Sequence, residues 1–162
     1  MHDASGCTGN YTGYDEPRWL NSRSAVYCSG LRRMDAVLGN DDKFIQMALN
    51  AAESLDPTLI AFLGSPVPMI IGTDLEGMAA EAEAASGIPS FGINSTGERY
   101  YHEGASEVFI KLIKRFAKPF KGERSKDVKK INVLGMILLD VGGEMNYHAV
   151  TKFITDSGYE LV

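Results

Sequence analysis

Apolar residues along the chain fall into two alternating patterns: short unbroken runs and longer stretches spaced every three or four residues. Residues 58–63 (TLIAFL) form a nearly continuous apolar run of strand length, the pattern of a strand covered on both faces. Gly64, Ser65 and Pro66 break it. Before it, Phe44, Ile45, Ala48, Leu49, Ala52 and Leu55 recur at helical spacing behind the polar cluster Gly39-Asn40-Asp41-Asp42. Its two acids fall in the first turn, where the macrodipole favours negative charge. Pro57 ends that helix. Thr73-Asp74-Leu75-Glu76 has the form of a capping box and predicts a helix from about Asp74 to Ala85, closed by Gly87. Residues 88–93 predict another short strand and 94–104 a loop. A helix follows with Val108, Phe109, Leu112, Ile113 and Phe116 on one face. Strand and helix in alternation imply an α/β fold, a parallel sheet flanked by helices.

The ends of the chain are less regular. Residues 1–19 are glycine-rich, lack apolar periodicity and read as a loop; residues 25–29 (AVYCS) predict a short strand, followed by turn-rich sequence up to Gly39. Residues 118–130 are polar and basic, contain Pro119 and Gly122, and read as a solvated connection. Beyond them the spacing predicts a strand at 131–139, a loop at 140–143, a helix at 144–157 with Tyr147, Val150, Phe153 and Ile154 inward, and the start of a strand at 159–162. The expected organisation is an α/β domain over 1–118, a basic connection at 119–130, and the start of a second α/β unit at 131–162. Ending on a newly begun strand is expected of a truncated unit.

Composition narrows the function. The chain has 162 residues, 44% of them hydrophobic and 23% charged, enough for a packed core without staples. A net charge of -5 argues against a phosphate-gripping surface, so nucleic acid is not an expected partner. No apolar run approaches bilayer length, and no membrane association is expected. The two cysteines, Cys7 and Cys28, make neither a C-x-x-C pair nor a disulfide framework. No apolar leader precedes Cys7, so a cytoplasmic location is expected.

Cys7 is the leading candidate for chemistry. Cysteine is usually buried, whereas this one lies in a polar, glycine-rich segment that suits a thiolate ligand or a reactive thiol as well as an incidental loop cysteine. Cys28 falls in a predicted strand and reads as a core thiol. His2, His102 and His148 are scattered without zinc-site spacing, and His102 reads as solvated or capping. Tyr11, Tyr14, Arg18 and Trp19 form an aromatic and basic cluster suited to packing against a partner. Gly142-Gly143 ahead of a helix lacks the surrounding pattern of a nucleotide loop.

His2-Asp3-Ala4-Ser5-Gly6-Cys7 resembles the His-Gly-Pro-x-Gly-Cys loop of the nitrogenase component 1 family. That family includes the molybdenum-iron protein subunits, cofactor scaffold proteins and the dark-operative protochlorophyllide reductase subunits. Residues 31–43 (LRRMDAVLGNDDK) are similar to the segment that ends in the family's Gly-Gly-x-x-Lys helix start. Ile71-Gly72-Thr73-Asp74-Leu75-Glu76 is similar to its Ile-Gly-Asp-Asp-Ile-Glu helix start, and residues 133–143 resemble the strand and Gly-Gly turn opening its next domain. The resemblance covers the chain in order and spacing, and corresponds to the early part of a family subunit.

The resemblance implies a Rossmann-like fold of the nitrogenase iron-molybdenum protein type. It also implies an oxidoreductase subunit that relays low-potential electrons through an iron–sulfur cluster to an unknown substrate. Cys7 would be the metal ligand, with His2 and Gly6 shaping the cluster loop. The family's further cysteine before the Ile-Gly-Asp-Asp helix is absent, since Gly64-Ser65-Pro66 occupies that stretch. A cubane cluster generally takes four protein ligands. Two cysteines cannot supply them, which implies a cluster at a homo- or hetero-oligomeric interface with another component 1 type subunit, with Asp3 as a candidate oxygen ligand. An ATP-dependent iron–sulfur reductase is the implied electron donor. The alternative is a scaffold or carrier that assembles a metal cofactor without turnover, which the missing cysteine favours.

Overall fold

The structure is a computed structural model that describes residues 1–4, 6–12, 24–94, 97–119, 121, 129–137 and 142–161, with Cys7, Tyr11 and Thr12 described by backbone alone. Two compact units are present, Met1–Arg115 and Phe116–Val162.

The first unit is built around a parallel strand pair, β1 (Ile60–Leu63) and β2 (Ser90–Ile93), with Ile60 opposite Ser90 and Leu63 opposite Ile93. The crossover between them carries α4 (Pro66–Ile70) and α5 (Leu75–Ser86), as a parallel pair requires. Helix α3 (Asp41–Leu55) precedes β1 and packs on α5. Both long helices start and stop where their sequences indicate. The Asp74 carboxylate caps α5 by accepting from the Gly77 amide at 2.9 Å, one residue later than a cap at Thr73 would lie. Gly87 closes the helix at φ 72°, a left-handed position that glycine adopts without strain. Asp56 holds the matching left-handed position after α3.

Phe44, Ile45, Phe62, Leu75, Met78, Ala79 and Ala82 form the core. Leu75 is the point where α5 meets both strands. A side chain at Gly92 would put its Cβ 2.2 Å from the Leu75 carbonyl oxygen and 2.6 Å from the Glu76 nitrogen. The backbone of α5 therefore lies directly on β2, and only glycine allows it. Gly92→Ala is expected to lower stability by about 3 kcal/mol, the upper end of ordinary overpacking, because the obstacle is backbone rather than a side chain that can turn away. An unchanged urea midpoint would contradict this.

Several expectations differ from what is observed. Strand β1 is covered less fully than its apolar sequence implies: Phe62 is buried, Ala61 is exposed, and Ile60 and Leu63 are half-buried. Residues 25–29 form no strand. Instead, the Ser29 and Leu31 amides donate to the Met1 and Asp3 carbonyls at 2.9 and 2.7 Å. Besides a short helix near the amino terminus, two others are not legible in the sequence: α2 (Arg33–Leu38), with the amide of the preceding Arg32 donating to the Asp35 carboxylate at 3.0 Å, and α4, which begins at Pro66. Helix α6 (Tyr101–Phe116) starts inside the expected loop, and Phe109, Ile113 and Phe116 on its apolar side are exposed.

In the second unit, β3 (Lys130–Ile131) pairs in parallel with β4 (Glu160–Leu161), joined through α7 (Glu144–Asp156). The ladder covers only the beginning of the strand expected at 131–139; residues 138–141 lie outside the described set, as does most of the basic connection. The expected inward face of α7 is not buried: Phe153 is 72% exposed, and Tyr147 and Val150 are also exposed. No helix among the described residues is long and apolar enough to cross a membrane.

Candidate functional site

The amino-terminal residues do not hang from the fold; they are stitched into it. The His2 amide donates to the Leu63 carbonyl at 2.7 Å, and the Ser65 amide donates back to the His2 carbonyl at 3.2 Å. These bonds make a parallel bridge from His2 to Gly64, just past the end of β1. On the other side residues 1–3 hold the 27–31 segment. The first three residues thus fill the gap between that segment and β1, at the carboxyl ends of the parallel strands. Ligands of α/β sheets gather at that edge.

Two buried side chains fix this placement. The His2 ring stacks on Phe44 with centroids 4.6 Å apart, and its Nδ1 lies 2.9 Å from Ser29 Oγ. Asp3 is fully buried, and its Oδ2 accepts from both the amide and the hydroxyl of Thr8, at 2.7 and 2.8 Å. Thr8 belongs to α1 (Gly6–Thr12), a single short helix that carries Cys7 in its first turn. The expected loop is therefore a helical turn at this point. Gly6 and Gly9 disfavour a helix, but the Asp3 carboxylate satisfies an orphan amide of its first turn, as a cap does.

Burial opposes ionisation of Asp3. It is outweighed by the Ser65 and Thr8 hydroxyls and the Ala4 and Thr8 amides, which together hold the carboxyl below its ordinary range. Ser65 is itself buried. Its Oγ and Asp3 Oδ1 have no hydrogen-bond partner among the described residues. Burial also pushes the His2 imidazole below its ordinary range, against the pull of Asp41.

Both shifts have the same consequence. A depressed folded-state pKa means that the unfolded chain takes up the proton first. The stability each group contributes is therefore present above its ordinary pKa and lost as pH falls. Anchoring of residues 1–3 is expected to weaken in two stages, below the ordinary histidine value of about 6.5 and then below the ordinary carboxylate value of about 3.9. Hydrogen exchange at the His2 and Ser65 amides measures this. Protection that stays constant through the histidine range would contradict it.

Of the expected site residues, His2 is buried and anchoring. Gly6 is exposed at the first position of α1, and Cys7 follows it with its side chain outside the described set. A Cβ added at Gly6 or Gly9 would meet none of the described residues within 4 Å. Asp3 faces inward. Cys28 is not a core thiol. It is half-buried among polar groups, with Sγ 3.2 Å from Thr8 Oγ1 and 3.4 Å from the Gly30 amide. Most of the Tyr11, Tyr14, Arg18 and Trp19 cluster lies outside the described residues. His102 is exposed and stacks on Tyr100. Among the described residues no three His, Cys, Asp or Glu side chains converge on a metal position.

Beside the same strand ends lies a groove of about 390 Å³, floored by Leu63, Gly64, Ser65 and Ile93. Arg99 at its rim is held by Glu107 at 3.2 Å and by the Asn94 carbonyl at 3.3 Å.

Parallel strands joined by a crossover of helices, with the amino-terminal residues bonded at the strand ends, define an α/β protein. The family model for nitrogenase component 1 type oxidoreductases matches residues 1–161, and the chain belongs to that family. Among solved structures it is similar to a nitrogenase described as Cp1 at pH 5, with a TM-score of 0.63 and 21% identity over 85% of this chain and 27% of that one. The same protein at pH 6.5 gives a TM-score of 0.58 and 22% identity over 85% of this chain and 26% of that one. This likeness concerns the fold. The chain spans about a quarter of those nitrogenase chains. Comparison with curated proteins gives no match.

Proposed function

We propose that the chain is part of a component 1 type oxidoreductase subunit in which Cys7 holds an iron–sulfur cluster shared with a second polypeptide. The observation that supports this most is the anchoring of the Cys7 turn: a ligand-bearing segment is tied through Thr8 to a buried carboxylate and through His2 to the end of β1. Such rigid backing is what a metal ligand needs from its outer shell. None of the described residues lies within 4 Å of a Cβ at Gly6 or Gly9, which fits one half of a cradle, and the described residues fit no complete site.

A bound iron–sulfur cluster would supply a low-potential one-electron store. The chain's own residues do the remaining work. Cys7 offers a thiolate, Gly6 and Gly9 leave room for a bulky group and a facing subunit, and His2 and Asp3 keep the turn from moving. Electrons would come from an ATP-dependent iron–sulfur reductase. Residues of the rest of the subunit would hold the substrate.

A second reading is a scaffold or carrier for metal-cofactor assembly. It draws support from Ser65, a buried hydroxyl within the Gly64-Ser65-Pro66 stretch where the resemblance leads one to expect a thiolate nearby. Anaerobic reconstitution of the intact subunit, followed by turnover with reductase and ATP, separates the two. Reductase-dependent electron uptake with product formation supports the enzyme, and cluster transfer to an acceptor without turnover supports the carrier.

A further inference from the structure

We infer that Asp3 is the positioning residue of the Cys7 turn, setting the orientation of α1 against the end of β1. The inference deepens the cluster reading of Cys7 and rests on it. Three observations meet at this carboxylate. It is fully buried, a place where an ionised group persists only with strong compensation. Its Oδ2 takes both polar groups of Thr8, the residue after Cys7, at 2.7 and 2.8 Å. Its other oxygen, Oδ1, is buried with no hydrogen-bond partner among the described residues, and so is Ser65 Oγ, whose hydroxyl is among the groups that favour the ionised carboxylate.

The connection is short at every step. Ser65 is bonded through its amide to the His2 carbonyl, and Asp3 follows His2 directly. The Leu31 amide donates to the Asp3 carbonyl at 2.7 Å, so the backbone of Asp3 is held as firmly as its side chain. Asp3 therefore joins α1, the turn after β1 and the 27–31 segment. Thr8 Oγ1 also lies 3.2 Å from Cys28 Sγ, a weak partner beside the carboxylate. Removing the carboxylate takes away two short bonds to α1, a helix that its glycines disfavour.

The test uses the intact subunit with its partner, reconstituted anaerobically with iron and sulfide. Iron retained after gel filtration and the electron paramagnetic resonance line shape are read in wild type, Asp3→Ala, Asp3→Asn, Thr8→Val and Cys7→Ala. Loss of an outer-shell partner typically weakens metal binding about 10- to 100-fold. Asp3→Ala is expected to lose iron to about that extent while circular dichroism stays native. Asp3→Asn retains an acceptor for Thr8 and is expected to restore most of the iron. Thr8→Val, which leaves the amide bond intact, is expected to retain iron with an altered line shape. If Asp3→Ala fails to fold, Thr8→Val decides alone, and a wild-type line shape overturns the inference. Wild-type iron and line shape in folded Asp3→Ala also overturn it, provided Cys7→Ala has lost its iron. Full iron in Cys7→Ala instead overturns the cluster reading itself.

Discussion

Cys7→Ala is expected to abolish cluster binding while leaving the fold intact, the largest functional effect of any single substitution in this chain. Two features make the result informative. Cys7 is the only cysteine on α1, and no trio of other His, Cys, Asp or Glu side chains among the described residues offers a substitute site. The core of the described residues lies at Phe44, Phe62, Leu75 and the inner face of α5, so the variant is expected to keep its circular dichroism. Anaerobic reconstitution should give the wild type a brown colour and charge-transfer absorption, and give the variant neither. Equal colour in both, with equal circular dichroism, would mean that iron is held elsewhere or adventitiously. Cys28→Ala is the matched control. Its thiol lies close to Thr8, so loss of colour there as well would point to a site drawing on both cysteines.

The second large effect is on stability. Phe62 is 1% exposed and stands edge-on to Phe44 with ring centroids 5.3 Å apart. Phe44 in turn carries the stacked ring of His2. Phe62→Ala is expected to cost about 3–5 kcal/mol, the usual price of truncating a buried aromatic, against a total of about 5–15 kcal/mol for a domain. The loss should also reach the functional turn. With Phe62 gone, Phe44 can tilt, and the surface on which His2 rests goes with it. Urea denaturation measures the first effect and hydrogen exchange at the Ser65 amide the second. A cost below about 1 kcal/mol would show that Phe62 is not central to the core, since even a partly relaxed cavity exceeds that.

Much of this architecture can be read from the chain. Helices α3 and α5 are legible because periodicity, acidic first turns and closing residues agree, so tertiary context has nothing to override. Strands β1 and β2 are legible as apolar runs between breakers. Helix α1 is not legible, because two glycines argue against it locally and the carboxylate that caps it lies outside it. Helix α4 hides behind Pro66 and Pro68, which read as breakers although proline is well placed in a first helical turn. The inward face of α7 was expected from spacing alone, but spacing states which residues share a side and not what covers that side.

The site divides the same way. His2, Gly6 and Cys7 stand out because they lie together in one short segment. Ser65 and Cys28 do not, because their relation to that segment is made in space. Ser65 reaches the site only when β1 is laid beside residue 2. Cys28 reaches it only when the 27–31 segment pairs with the amino terminus. Such contacts of long sequence separation carry no periodic signal.

Iron at the Cys7 turn is expected to belong to an assembly of subunits. Gel filtration of the anaerobically reconstituted intact subunit, with protein and iron followed in the same run, tests this most directly. Iron should travel with a species of two or more subunits and be missing from the monomer. A monomer that carries its full share of cluster, or an oligomer that carries none, would contradict it.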